Sequence, residues 1–200
     1  MEGIYLPFVR KRSKNAHDLP VNMISRFTTY PSRMPVPVIL FWLLFSNIAN
    51  AAIYQQPTDF LNEVLVGEVP KPSVLWLSKP LRQHAKEILS HPPGFLRTRY
   101  WKKQTKTVWI LDEIGKSEPI TVGIVIDNGE ISLIKVLAFH ESRGWEVKHD
   151  FFTNQFKGLF LNSEQKLNRH IDGISGATLS VRALKKVAAL ALLFNKFVSE

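Results

Sequence analysis

The sequence predicts an α+β fold, a single domain in which a small antiparallel sheet is packed with helices. Two observations carry that expectation. Residues 107–111, 120–126 and 131–139 are rich in Val, Ile, Leu and Thr, and Asp127-Asn128-Gly129 separates the last two runs. That tripeptide is a hairpin signal, because Asn and Gly tolerate the positive φ of a tight turn. From Thr178 or Ser180 to about Phe197, Val181, Leu184, Ala188 and Ala191 then recur at helical spacing. Val187 and Leu192 widen this stripe, and Lys185 and Lys186 lie off it.

The elements follow in chain order. Val36, Ile39, Leu40, Phe41, Trp42, Leu43, Leu44 and Phe45 form a compact apolar run behind Arg26 and Arg33. The run falls short of the roughly 20 apolar residues that span a bilayer. Ala49-Asn50-Ala51 follows it, the small-x-small pattern of a cleavage site. Residues 1–51 therefore read as a secretory signal cleaved after Ala51, with an uncleaved membrane anchor as the alternative. The stretch before the run is long for a signal, so Met23 or Met34 is a candidate start. Residues 52–104 read as an N-terminal helical segment. It holds a short helix over 58–65, capped by Thr58 or Asp59, and a second over 81–89. Leu81, Ala85, Ile88 and Leu89 supply the apolar face of the second, and His91-Pro92-Pro93-Gly94 stops it. Residues 105–200 form the main domain. Within it the run 131–139 has mixed faces, which leaves its inward side open, and 151–159 predicts an amphipathic helix with Phe152, Phe156 and Leu159 on one side.

Composition narrows the chemistry. The 200 residues contain no cysteine, which removes disulfides, iron–sulfur clusters, thiolate zinc sites and c-type haem attachment. Any redox role must rest on an organic cofactor or on haem held by other ligands. The net charge of +9 is unevenly placed, about +4 of it before residue 52, and the remainder is a modest charge along the main part of the chain. No basic run is interleaved with stacking aromatics in a recognised module, so nucleic acid is not an expected partner. The six histidines show no ligand spacing, and His140 and Glu141, adjacent on a strand, point to opposite faces, so no metal is expected. Gly173-Ile174-Ser175-Gly176 is one residue short of a nucleophile elbow, and neither a P-loop nor Gly-x-Gly-x-x-Gly occurs. No catalytic residue is assigned.

The informative stretch is Asp172-Gly173-Ile174-Ser175-Gly176-Ala177-Thr178-Leu179-Ser180, at the start of the last helix. Its small residues leave the backbone approachable, and Thr178 brings a hydroxyl to the first helical turn. Unpaired N–H groups and the positive end of the helix dipole favour an anion such as phosphate there. A Gly-rich turn before Ser or Thr is also how ordinary helices begin.

This nonapeptide resembles the flavinylation motif of the FMN-binding domain family, which includes flavin subunits of the sodium-pumping quinone reductase and related electron-transport complexes. The resemblance implies FMN joined through its phosphate to Thr178, near the N-terminus of the C-terminal helix. Asp172, Ser175, Gly176 and Ala177 become the residues that position the acceptor and are recognised by a flavin transferase. It also implies that Glu141 and Gly144, in the loop after the third strand, line the flavin, with Trp145 and Phe139 as candidate bordering aromatics and His170 as a candidate neighbour of the phosphate. The implied activity is electron transfer outside the cytoplasmic membrane, with a membrane-bound redox partner and an exported, periplasmic location. An exported interaction module of the same fold without covalent flavin, and a reductase acting directly on a small acceptor, are the alternatives.

Overall fold

The computed structural model describes residues 52–199, and the expected signal segment with its apolar run and Ala49-Asn50-Ala51 site lies outside them. Six strands form one antiparallel sheet in the order β1-β6-β5-β4-β3-β2. They are β1 (Ala52–Ile53), β2 (Ser73–Trp76), β3 (Arg97–Lys103), β4 (Lys106–Ile114), β5 (Pro119–Asp127) and β6 (Glu130–Phe139). The helices are α1 (Pro57–Val64), α2 (Lys79–Leu89), the single turn α3 (Asp150–Thr153) and α4 (Thr178–Ser199). The α+β class is the one the sequence predicts.

β4, β5 and β6 contain the three expected runs. Asn128 at φ 51° and Gly129 at φ 84° make the turn between β5 and β6. Each is a residue type that accepts the left-handed region at low cost. The mixed faces of β6 have a definite cause. Ile126 pairs with Ile131 but Val125 with Leu133, and Val122 pairs with Val136 but Thr121 with Ala138. Ser132 and Leu137 are therefore the extra residues of two β-bulges, and each bulge restarts the alternation. As a result Ile131, Ile134, Val136 and Phe139 all reach the main core, while Leu137 faces the other side.

The main core lies between one face of the sheet and α4. Trp109, Ile120, Ile124 and Ile126 from the sheet meet Leu184, Val187, Ala188, Ala191 and Phe194, all essentially inaccessible to solvent. Burying a large side chain of this kind contributes about 1.5–3 kcal/mol. The polar atoms inside are satisfied: Trp109 Nε1–H donates to Thr107 Oγ1 (3.0 Å), and the Thr107 hydroxyl donates to Asn195 Oδ1 (2.6 Å). The opposite face of the sheet carries a smaller cluster, Phe60, Leu61 and Leu65 from α1 and its end against Val108, Val125 and Leu137. Gly123 of β5 makes that contact close, because a Cβ there would overlap the Phe60 ring.

Three features depart from the sequence reading. The stretch 52–104 contributes β1, β2 and β3 to the same sheet, besides the two helices. β3, Arg-Thr-Arg-Tyr-Trp-Lys-Lys, is too highly charged to announce itself as a half-buried strand. α1 starts on Pro57, and Gln56 before it makes no side-chain cap bond, so neither Thr58 nor Asp59 is the cap. Proline suits a first turn because its missing N–H would have no partner there. The helix expected over 151–159 is α3 followed by a 3₁₀ turn, Asn154–Phe156, and ends before Gly158 at φ 73°. Its predicted apolar residues Phe152, Phe156 and Leu159 are nonetheless fully buried.

Candidate functional site

The motif folds as a turn that feeds a helix. Ala177 N–H donates to Ile174 C=O (3.0 Å), and Val181 N–H to Ala177 C=O (2.9 Å). The first bond closes a four-residue turn with Gly176, at φ 82°, as its third residue. That position of a type II turn requires a positive φ, which explains the glycine. The second bond makes Ala177 the residue before the first helical position, so Thr178 opens α4, a helix of 22 residues. Ala177 is buried and Thr178 is exposed. The turn thus pushes an apolar methyl inward and a hydroxyl outward, next to the N–H groups of the first turn.

Gly173 calls for a different explanation from Gly176. Its φ is not positive, and a Cβ on it would meet nothing within 4 Å. The fold does not demand a glycine there; its absent side chain simply leaves the approach to Thr178 clear. Asp172 and Ser175 are exposed. Asp172 N–H donates to Gln155 Oε1 (2.8 Å), which fastens the start of the motif to the turn after α3. His170 Nε2 lies 3.9 Å from Asp172 Oδ1, both side chains being largely in solvent.

The loop after β6 reaches α4 from behind. Gly144, buried and at φ 88°, packs so close to the helix that a Cβ would overlap the Ser180 hydroxyl and come within 3.6 Å of Ala177 Cα. Glu141 is engaged elsewhere. Its Oε1 accepts N–H bonds from Lys116, Ser117 (2.7 Å) and Glu118 (3.0 Å), and its Oε2 is 3.4 Å from the Ser117 hydroxyl. Burial, the largest single influence, pushes its carboxyl up, but the three backbone donors together outweigh it and hold the group below the ordinary carboxyl range. So Glu141 closes the β4–β5 turn and Gly144 seats the N-terminus of α4. Phe139 is buried in the main core, and Trp145 is 44% exposed at the head of a 3₁₀ turn, Trp145–Lys148.

Beside Thr178 a groove of about 960 Å³ runs between α4, α2 and the segment 164–173. That is a volume suited to a small organic ligand. Leu167, Ile171, Val181 and Ala189 give it apolar surface, and Arg169, Arg182, Lys185 and Lys186 give it positive charge. Two of its cations are anchored: Arg169 donates to the Gln155 and Lys157 carbonyls (3.0 Å each), and Lys186 is tied to a buried carboxylate. Lys186 Nζ lies 3.1 Å from Glu113 Oε1, and that carboxylate is only 5% exposed. His91 Nε2 approaches the same carboxylate at 3.1 Å, while its Nδ1 faces Pro92 C=O at 3.0 Å. Two oxygen acceptors on one ring are both satisfied only by the imidazolium. The Pro92 carbonyl first, and the Glu113 carboxylate second, accordingly raise the pKa of His91.

None of the residues around Glu113 carries a sequence signal. Glu113, Lys186 and His91 are 22 and 73 positions apart along the chain, and only the pairing of β4 with α4 and with the end of α2 unites them. Among the described residues, no group of three or more His, Cys, Asp or Glu side chains is arranged to hold a metal ion.

The arrangement suits a phosphorylated, partly apolar ligand: an exposed hydroxyl at a helix N-terminus, glycines that clear the way to it, and a cationic groove at its side. No curated protein and no solved structure matches the chain. Residues 115–193 match the family model for the FMN-binding domain, a stretch that runs from the β4–β5 turn through β5 and β6 into α4 and includes the whole motif. The chain is therefore a flavin-binding protein, carrying over residues 115–193 a domain of the FMN-binding family.

Proposed function

We propose that this protein carries FMN covalently, its phosphate joined to the Thr178 hydroxyl as a phosphoester, and that it relays electrons outside the cytoplasmic membrane to or from a membrane-bound partner. The observation that supports the tether is the exposure of Thr178 at the first position of α4, with Ala177 buried behind it. Most Thr residues at helix starts point a hydroxyl back at their own backbone as caps. Here the residue before the helix is an alanine, and the threonine stands one position later, free for an external group.

The residues around Thr178 each have a part in this reading. Gly176 supplies the positive φ that turns the backbone, and Gly173 leaves room for a transferase to bring the phosphate in. Asp172 and Ser175, exposed on the same turn, are the groups such an enzyme can read. N–H groups of the first turn face the phosphate with the favourable end of the helix dipole. Arg182, one helical turn beyond Thr178, adds a positive charge. Glu141 and Gly144 hold the frame: the former ties the β4–β5 turn, the latter fixes the height of α4. The isoalloxazine supplies the redox chemistry when bound, which the cysteine-free chain has no thiolate centre to provide.

Export is supported by the apolar run of residues 36–45 and the Ala49-Asn50-Ala51 site, and a covalent bond suits an exported carrier, since a lost cofactor could not be replaced from the cytoplasm. Among the described residues, no helix is long and apolar enough to cross a membrane.

The intact mass of the full chain co-expressed with a flavin transferase tests the reading. The expected gain is one FMN less one water, and Thr178→Ala abolishes it completely. An unmodified mass in the wild-type chain overturns the tether and leaves an interaction module of the same fold.

A further inference from the structure

We propose that the corner of the domain where β2, the start of α2 and the start of β3 meet docks on an anionic lipid surface, with Trp76 entering the headgroup layer. The proposal does not depend on the tether at Thr178, and the residues that carry it lie outside the stretch that matches the family.

Positive charge is concentrated at this corner. Residues 71–106 hold nine Lys and Arg side chains and one carboxylate, Glu87. That carboxylate accepts a bond from Gln83 (3.0 Å) and lines the groove beside Thr178. Lys102, Lys103 and Lys106 lie at the β3–β4 turn, and the first two donate to backbone carbonyls. The other six, Lys71, Lys79, Arg82, Lys86, Arg97 and Arg99, are exposed. Among the described residues, none of the six is within salt-bridge distance of a carboxylate.

Strand pairing sets apolar side chains among these cations. Val74 lies opposite Arg99 and Trp76 opposite Arg97, so all four share one face of the sheet. It is the face on which α1 packs, but α1 covers Val108, Val125 and Leu137 and leaves the β2 edge open. Trp76 is 62% exposed, Leu96 58% and Val74 45%. Leu77 N–H donates to Leu96 C=O (3.0 Å), which ties the start of α2 to the residue before β3. The Arg97 guanidinium stands 5.2 Å from the centre of the Trp76 ring. A guanidinium stacked on an indole presents together a ring suited to the headgroup layer and a cation suited to lipid phosphate. Just past this junction, Lys79, Arg82 and Lys86 lie within about 60° of one another round α2. With Pro92 and Pro93 they line an open cleft of about 220 Å³.

Two features favour a lipid surface over a protein partner. β2 is an edge strand of four residues entered through Pro70 and Pro72, which disfavours the addition of a strand from another chain. The cations come from three elements and have no fixed carboxylate partner, which suits a diffuse sheet of negative charge. The site at Thr178 is not obstructed. His84, Glu87 and Ile88, the side of α2 that lines its groove, lie about 140° round the helix from the cationic stripe.

Hydroxyl-radical labelling of the full chain on vesicles reads the contact at single residues. On equal parts of phosphatidylglycerol and phosphatidylcholine, labelling of Trp76 and Leu96 should fall about fivefold, and on pure phosphatidylcholine it should not change. Exposed Trp145 should label equally on both. Residues 1–51 are present in both arms, so the difference between the arms reports this corner. Arg82→Gln combined with Lys86→Gln should raise the lipid concentration for half-protection of Trp76 about 25-fold, fivefold for each charge. Lys157→Gln, an exposed cation elsewhere, should leave it unchanged. Equal protection on the two kinds of vesicle, or none on either, overturns the lipid contact. Protection of Trp76 by poly-glutamate but not by vesicles also overturns it and assigns the corner to an acidic protein. Protection that comes with protein concentration alone overturns it in favour of a second copy of the chain.

Discussion

Residues 115–193 and residues 52–114 contribute different things to one sheet and one site. The first stretch matches the FMN-binding family and holds the motif, the Gly144 buttress and most of α4. The second has no such match, yet it supplies four of the six strands, one wall of the groove through α2, and both Glu113 and His91. The hydroxyl proposed to take the cofactor lies within the family stretch. Most of the groove lining also lies in the family stretch, but the carboxylate that holds Lys186 comes from outside it. A family match locates the chemistry here but not all of its environment.

Substitutions along the boundary between these stretches sharpen the contrast. The largest effect belongs to Gly144→Ala within the family stretch. It forces a side chain into a positive-φ position and into the Ser180 hydroxyl, which costs about 2–4 kcal/mol. Chemical denaturation should read that loss, and flavin incorporation should fall with it; a loss under about 1 kcal/mol would mean the loop does not support α4. Next comes Gly123→Ala, where a β5 glycine of the family stretch receives Phe60 of α1. Overpacking costs about 1–3 kcal/mol there, and Phe60→Leu in the same chain should recover part of it. Flavin attachment should be unaffected, since the contact lies on the opposite face of the sheet from α4.

Two smaller effects are visible in pH. Glu141 has its folded pKa below the ordinary carboxyl value of 4.5. Its contribution to stability is therefore complete above that value and is lost as pH falls through the folded pKa. Glu141→Gln should flatten the fall in stability between about pH 5 and pH 3; an unchanged slope would show that the β4–β5 turn does not depend on the carboxylate. His91 has the opposite sign. Its pKa is raised above 6.5, so its contribution is complete below that value and is lost as pH rises through the folded pKa. His91→Gln should remove that small loss on the alkaline side. His91 is about half exposed, so solvent screening keeps this the weakest of the four effects.

The sequence is legible where local physics is strong. Asn128-Gly129 fixes its turn regardless of the rest of the fold, and the apolar stripe of α4 is long enough to be unambiguous. Gly176 and Thr178 are legible for the same reason, as a turn and a helix start written in consecutive residues. The inward face of β6 is not legible, because bulges at Ser132 and Leu137 are set by pairing with β5. β3 is hidden by its charges, and α3 ends early for a reason visible only at Gly158. Glu141 could be placed after the strand, but not its bonds to residues 116–118, 23 to 25 positions away. The ion cluster at Glu113 is illegible altogether, since three elements distant in sequence make it.

The bulge at Leu137 also has a mechanical meaning. Its carbonyl accepts both Tyr54 N–H (2.8 Å) and Gln55 N–H (3.1 Å), just after Ala52 and Ile53 pair with Phe139 and Ala138. The chain is thus stitched into the domain at the end of β6 that leads to the Gly144 loop, the same end of the sheet that carries Thr178. A leash that held this domain by its N-terminal side would grip the end bearing the hydroxyl and leave the hairpin at Asn128 and Gly129 to swing. Tension on such a leash would be borne first by the pairing of Ala52 and Ile53 with β6, and next by the two hydrogen bonds to the Leu137 carbonyl, before any of it reached the core.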